Sequence, residues 1–452
     1  MQSLLISQSS SALRKVPALN HGVFGSALIL LLNIGLFAQP TNLPPSMACG
    51  ISSSFKIHLG EKADLPPVTP KIGKQKALIF RIAFPDLPYA VDTLAINDSN
   101  AVVNRFYADV SRGVFQYNFV IHKEIWMAPK NSNYYDFSGG LTIIELTDFI
   151  EAKIKAAGYV KGKDFDVTVS HFPRIKQWDG TSYPWSSAVY INGKYDAAVI
   201  AHELGHQLGL SHADGVNAGT EVLGAPGNEA HHVEYGNPFD NMGFTPSFGH
   251  FHTQSKWRLG WMDAGVEVRE ITNSGVYRIF AHENSVHKGR LLGIRVPISK
   301  TSPYAYWIEY RTVNTEARTG ALIHFEKYYT EAVGGYDFDG LHLLDMTPGT
   351  RADDVYHSDF KDAALVPGKT FKDKLAGLSF RTIAINTGVW NENGYVDVEI
   401  TIPGTIPILA GDNRNSRIRP TLQKSRNILG RSLNNQFRKD QSIPKRKFTP
   451  GG

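Results

Sequence analysis

Residues 77–84 read Ala-Leu-Ile-Phe-Arg-Ile-Ala-Phe, a short apolar run closed by Pro85-Asp86. That pattern predicts a strand. The period then changes. Val102, Val103, Phe106 and Val110 share one helical face, so a helix capped by Asn97 or Asp98 is expected to run to Val110. Residues 141–157 repeat the helical period and stop at Gly158. Residues 165–172 alternate Val167 and Val169 against Thr168 and Ser170, and 186–192 form another β-type run. Strands and helices that alternate in this way predict a mixed α/β layer. After Trp261 the texture differs. Short β-type runs recur at 276–281, 291–296, 305–310, 321–325, 341–346, 378–385 and 395–402. Their turn-spaced rhythm predicts a β-sandwich or jelly roll. The expected class is therefore α+β: a mixed sheet with helices, then a β-sandwich or jelly-roll domain.

The 452 residues are 42% hydrophobic and 20% charged, the balance of a globular chain. The lone cysteine, Cys49, excludes an internal disulfide, an all-cysteine zinc site and an iron–sulfur cluster. Sixteen histidines leave a histidine-held metal open. The net charge of +5 is unevenly placed: residues 411–452 hold eleven Lys and Arg against two Asp, so a tail of +9 leaves a body of −4. A nucleic-acid partner is not indicated.

Residues 23–38 are apolar apart from Ser26 and Asn33 and follow Arg14 and Lys15. Sixteen residues fall short of the roughly 20 a spanning helix needs. The pattern reads as a secretory signal cleaved after Ala38, which leaves no stable membrane span and places the product outside the cell. The expected organisation is a signal peptide at 1–38, a linker or pro-segment at 39–76, a mixed α/β domain at 77–263, a β-sandwich at 264–403 and a basic, disordered tail at 404–452. The sequence leaves the oligomeric state open.

The chemistry concentrates at 196–212. Asp196 is a sound N-cap for a helix holding His202, Glu203 and His206. Four residues apart, the two imidazoles share a face one turn apart, where one zinc ion accepts both. Glu203 adjoins the first ligand, within reach of a water in the same cleft. Gly209 can take positive φ, end the helix and bring His212 back as a third ligand. Three protein ligands leave a position open for water, the layout of a catalytic zinc site. The nearby His231, His232, His250 and His252 read as solvated or structural.

His202-Glu203-x-x-His206-x-x-Gly209-x-x-His212 resembles the complete metzincin zinc signature. Met242, in Tyr235-Gly-Asn-Pro-Phe-Asp-Asn-Met242-Gly243, looks like the methionine turn of those proteases. That wording, with Phe106-Tyr-Ala-Asp-Val-Ser-Arg-Gly113 and the stretch from Phe251 to Trp261, is similar to the gametolysin family of metalloproteases, over about 77–261. The resemblance implies a metzincin-like domain with one catalytic zinc, His202, His206 and His212 as metal ligands, Glu203 as general base, and Gly209 and Met242 as structural support. It implies a protein or peptide substrate. Some metzincins place a tyrosine two residues after the turn methionine; here that position is Phe244. Asp214 is read as a support for the turn or the ligand. Substrate is expected to add along an edge strand at 187–191, with residues 243–251 walling a pocket. Calcium stays open, without a clear motif. Cys49 could reach the open zinc position and hold the enzyme latent. The rival functions are an extracellular adhesion protein whose zinc only stabilises the fold, and a zinc hydrolase acting on a non-peptide amide.

Overall fold

The computed structural model describes residues 70–405 apart from 136–140, 176–179, 184–186, 224–230, 244–247, 300–303, 327–328, 332–335, 339–340, 351–358 and 389–392. The signal peptide, most of the linker, Cys49, Phe244 and the basic tail fall outside the described residues.

The first half comprises strand β1 (Gly73–Ala83), helix α1 (Thr93–Val110), β2 (Phe115–Met127), helix α2 (Leu141–Ala156), β3 (Val167–Phe172), β4 (Gly180–Tyr183), β5 (Ala188–Asn192) and helix α3 (Ala197–Gln207). Its five strands form one sheet in the order β2-β1-β3-β5-β4, parallel except for β4, which runs antiparallel to β5 at one edge. One face packs on α1 and α3 through Ile79, Val103, Tyr107, Val169, Ile200 and Leu204. The other packs on α2 through Phe80, Trp126, Leu146 and Ile150. This double cover explains why every residue of β3 is buried, Thr168 and Ser170 included; the alternation read there does not mark a solvated face.

Three local expectations need correction. β1 starts at Gly73, ahead of its apolar run, because Gly73–Ile79 pair in register with Phe115–Ile121. α1 starts at Thr93, not at Asn97 or Asp98, because Asp92 supplies the cap: its carboxylate accepts from the backbone N–H of Leu94 and Ala95. The edge strand is not 187–191. That segment, β5, lies between β3 and β4, and β4 holds the edge.

The second half holds β6 (Asp214–Asn217), β7 (His231–Val233), helix α4 (Thr253–Arg258), β8 (Val268–Glu270), β9 (Gly275–Phe280), β10 (Gly293–Pro297), β11 (Ala305–Glu309), β12 (Leu322–Glu326), β13 (Tyr329–Glu331), β14 (Tyr336–Phe338), β15 (Leu341–Leu344), β16 (Thr370–Asp373), β17 (Leu378–Asn386) and β18 (Tyr395–Thr401). Each of the seven β-type runs anticipated after Trp261 overlaps one of these strands. Seven strands form a sheet in the order β7-β6-β15-β12-β11-β10-β8, and β16-β17-β18-β9 form a second. The two sheets share a core that includes Ile294, Tyr306 and Ile308 from one and Ile279, Phe380 and Val398 from the other. The architecture is mixed α/β, with several sheets and few helices. Among the described residues no helix is long and apolar enough to cross a membrane. β6 follows the zinc-signature segment by one residue and pairs in parallel with β15, Asp214 opposite His342 and Val216 opposite Leu344.

Candidate metal centre

α3 begins where Asp196 accepts from the N–H of Ala198 at 2.9 Å. The helix is anchored from below by two tyrosines. Tyr107 donates its hydroxyl to the carbonyl of Ala201 at 2.7 Å, and Tyr117 to that of Leu204 at 3.2 Å. Its end is a Schellman turn: the N–H of Leu210 donates to the carbonyl of Gly205, and that of Gly209 to the carbonyl of His206. Gly209 has φ +90° with open space where a Cβ would stand, so conformation rather than crowding requires glycine there. Gly205 is the opposite case. A Cβ on it would stand 2.4 Å from Met242 Sδ. The methionine therefore lies against the helix between the two histidine turns.

The three imidazoles converge. Ring centroids are 4.8 Å apart for His202 and His206, 5.3 Å for His202 and His212, and 4.9 Å for His206 and His212. One ligand atom of each lies within 4.8 Å of one on each of the others. His202 Nδ1 donates to the carbonyl of Asn241 at 2.7 Å, and His206 Nδ1 to that of Leu210 at 2.8 Å. Those bonds set the tautomers and leave both Nε2 atoms as lone-pair donors. The two Nε2 atoms stand 3.2 Å apart. Two nitrogens each ~2.0–2.1 Å from one tetrahedral zinc stand about 3.3 Å apart. His212 Nδ1 meets Glu234 Oε1 at 2.9 Å, while its Nε2 is buried without a hydrogen-bond partner. A buried orphan nitrogen beside two opposed lone pairs fits a cation. The cluster is compatible with zinc binding. Burial, with the charge of His212 adding, pushes His202 down to about 3, and burial pushes His206 well below the usual imidazole range. Both rings are thus neutral near pH 7, the form that ligates metal.

The remaining site residues are placed as follows. Glu203 is fully buried, with its carboxylate against the edge strand: a Cβ on Gly180 of β4 would stand 2.8 Å from Glu203 Oε1. Asp214 accepts from the N–H of Tyr235 at 2.9 Å. It holds Tyr235 at φ +60°, with the tyrosine ring tilted over His212 at 4.0 Å between centroids. Asp214 thereby braces the residue that covers the third imidazole. His250 and His252 are buried and structural. His250 meets Asp109 at 3.1 Å, and His252 Nδ1 accepts from the N–H of Ser255 at the start of α4.

Other residues hold the methionine turn without any sign in the zinc signature. Asp240, its carboxyl lifted to about 6 by burial, accepts from the N–H of Met242 at 2.8 Å and of His252 at 2.7 Å. Arg311, fully buried, donates to the carbonyls of Phe239 and His250, and its Nε donates to Glu309 at 2.7 Å. The sequence signal was a Glu and an Arg two apart at the end of an otherwise apolar strand. Charges so placed are rarely buried unless paired.

No family model and no curated protein matches the chain. Among solved structures it is similar to a zinc-dependent peptidase from Methanocorpusculum labreanum (strain Z), at 14% identity over 41% of this chain and 99% of that one, with a TM-score of 0.23. At that level of likeness no activity transfers, and the site is read from its own residues.

Proposed function

We propose that the chain is a secreted zinc endopeptidase of the metzincin type, similar to gametolysin-like proteases. In this reading His202, His206 and His212 hold the metal, Glu203 is the general base, and Gly209 and Met242 support the site. The observation that carries it is the convergence of three imidazoles, two with their Nδ1 atoms committed to carbonyls and the third with a buried orphan Nε2. When bound, zinc supplies Lewis acidity and lowers the pKa of a water in its open position toward neutrality. Glu203 takes a proton from the attacking water and hands it to the leaving amine. The open edge of β4 offers main-chain hydrogen bonds to an extended substrate. Gly180 has no side chain to separate that strand from the Glu203 carboxylate. The catalytic residues fall within the span 77–263 proposed as the catalytic domain, and a β-sandwich is proposed over 264–403, behind a signal peptide at 1–38. β6 and β7 of the first span pair into the β-rich sheet, so the two do not separate cleanly at 263.

Casein zymography with and without a chelator, on wild type and Glu203→Gln, tests the reading. The expected result is chelator-sensitive cleavage that falls by about 10²–10⁴-fold in the variant, with zinc content unchanged by metal analysis. A Glu203→Gln protein that cleaves casein at the wild-type rate removes the general-base assignment. Metal-dependent hydrolysis of small amides without any cleavage of protein removes the endopeptidase assignment.

A further inference from the structure

A second group of ligand-type side chains lies in the β-rich half. Asp345 directly follows β15, and Asp359 and Asp362 stand at the two ends of a single 3-10 turn, Asp359–Asp362. One carboxylate oxygen of each lies within 4.8 Å of one on each of the others. Three carboxylates at such distances repel one another strongly when ionised. Asp345 is 4% exposed. Its Oδ1 accepts from the N–H of Thr347 at 2.8 Å, but its Oδ2 is buried with no hydrogen-bond partner. A buried carboxylate oxygen left in that state, next to two further carboxylates, is costly unless a cation or a proton satisfies it. Burial, with the charges of Asp359 and Asp362 adding, pushes Asp345 up to about 7.

We propose that Asp345, Asp359 and Asp362 bind a calcium ion that clamps the 359–362 turn to the end of β15. Two oxygens on one calcium, each ~2.3–2.6 Å from it, can stand as far as about 5 Å apart, so the observed spacing suits this ion. Calcium takes six to eight oxygens in flexible geometry, and water completes such a shell. Magnesium demands a tighter, near-ideal octahedron. The surroundings are polar: Thr347 Oγ1 donates to the carbonyl of Asp362 at 3.0 Å, and Thr350 Oγ1 to the Asp362 carboxylate at 2.7 Å. The clamp has a mechanical target. Phe360, inside the turn, is buried against β6, where a Cβ on Gly215 would stand 2.5 Å from its ring. β6 starts two residues after His212 and pairs with β15. Calcium thus braces the strand that leads away from the third imidazole. This site stands whether or not the imidazoles carry zinc.

The test is isothermal titration calorimetry and thermal melting of the zinc-loaded full chain with CaCl2. Wild type is expected to bind calcium with one-to-one stoichiometry and to melt a few degrees higher when saturated. Asp345→Asn is expected to bind at least tenfold more weakly, yet to melt no lower than wild type in calcium-free buffer at pH 8, because it sheds a repelled charge. Asp362→Asn serves as the second variant and is expected to lose the same affinity. His212→Ala is expected to keep the calcium response. A wild-type chain with no heat and no shift at millimolar calcium overturns the proposal, as does undiminished binding in both Asp variants. An equal shift from MgCl2 at the same concentration overturns calcium as the ion.

Discussion

The molecule holds two clusters of ligand-type side chains, and they are held in opposite electrostatic states. The imidazoles of His202, His206 and His212 sit on a capped helix and its turn, and burial keeps His202 and His206 uncharged near neutral pH. The carboxylates of Asp345, Asp359 and Asp362 crowd together as like charges that repel one another. Neutral donors can be pre-assembled at small cost, so backbone carbonyls hold His202 and His206 in shape, with Glu234 and the Tyr235 ring holding His212. Charged donors cannot, so the second should depend on what neutralises it.

The largest way to break this contrast is His212→Ala. If the helix pair cannot complete a site alone, zinc affinity should fall by more than the roughly 10–100-fold typical of losing an outer hydrogen-bond partner, read by competition with a chromophoric chelator. Full zinc retention would mean that the pre-assembled geometry does not need its third member. Next comes Gly205→Ala, which drives a methyl into Met242 Sδ. Overpacking of this kind costs about 1–3 kcal/mol, read as a lower melting temperature. An unchanged melt would show that the methionine yields and the helix is not tightly seated.

The smallest effect is the difference in pH dependence of the metal-free chain. His202 has a folded pKa depressed to about 3. Its contribution is therefore present above the unfolded value near 6.5 and lost as pH falls toward 3. Asp345 has a folded pKa raised to about 7. Its contribution is present below the unfolded value near 4 and lost as pH rises toward 7. Melting curves of metal-free wild type and Asp345→Asn between pH 4 and 8 check this. The variant should gain on wild type steadily as pH rises, and parallel curves would contradict the buried charge.

Much of this was legible in the chain. The cap at Asp196, the turn at Gly209, the helical spacing of His202 and His206 and the place of Met242 are local features, and local sequence specifies them. What escaped depends on distant partners. β2 carries the alternation Phe115, Tyr117, Phe119, Ile121, but the polar run His122-Lys123-Glu124 breaks it where the pairing with β1 shifts register between Ile79 and Arg81. β4, Gly-Thr-Ser-Tyr, has little apolar pattern because it is an edge. With β4 unread, β5 took its place as the expected edge. The carboxylate cluster joins Asp345 to two residues 14 and 17 positions downstream, and no spacing rule marks it. Asp92 outcompeted Asn97 and Asp98 as a cap because Ile96 and Asn100 are buried on the inner face of α1, which draws the helix back by a full turn.

β6 has one further consequence. The polypeptide leaves His212 and within two residues becomes an inner strand of a sheet otherwise built mainly from sequence a hundred residues downstream. A protein engineer who trims the gene at residue 263 to obtain a minimal protease would strip β15 from its neighbour and leave the segment after the third imidazole with an unpaired flank. The shortest version that works should instead retain the later strands, and any graft of the helix alone onto another scaffold would need a replacement for that missing wall.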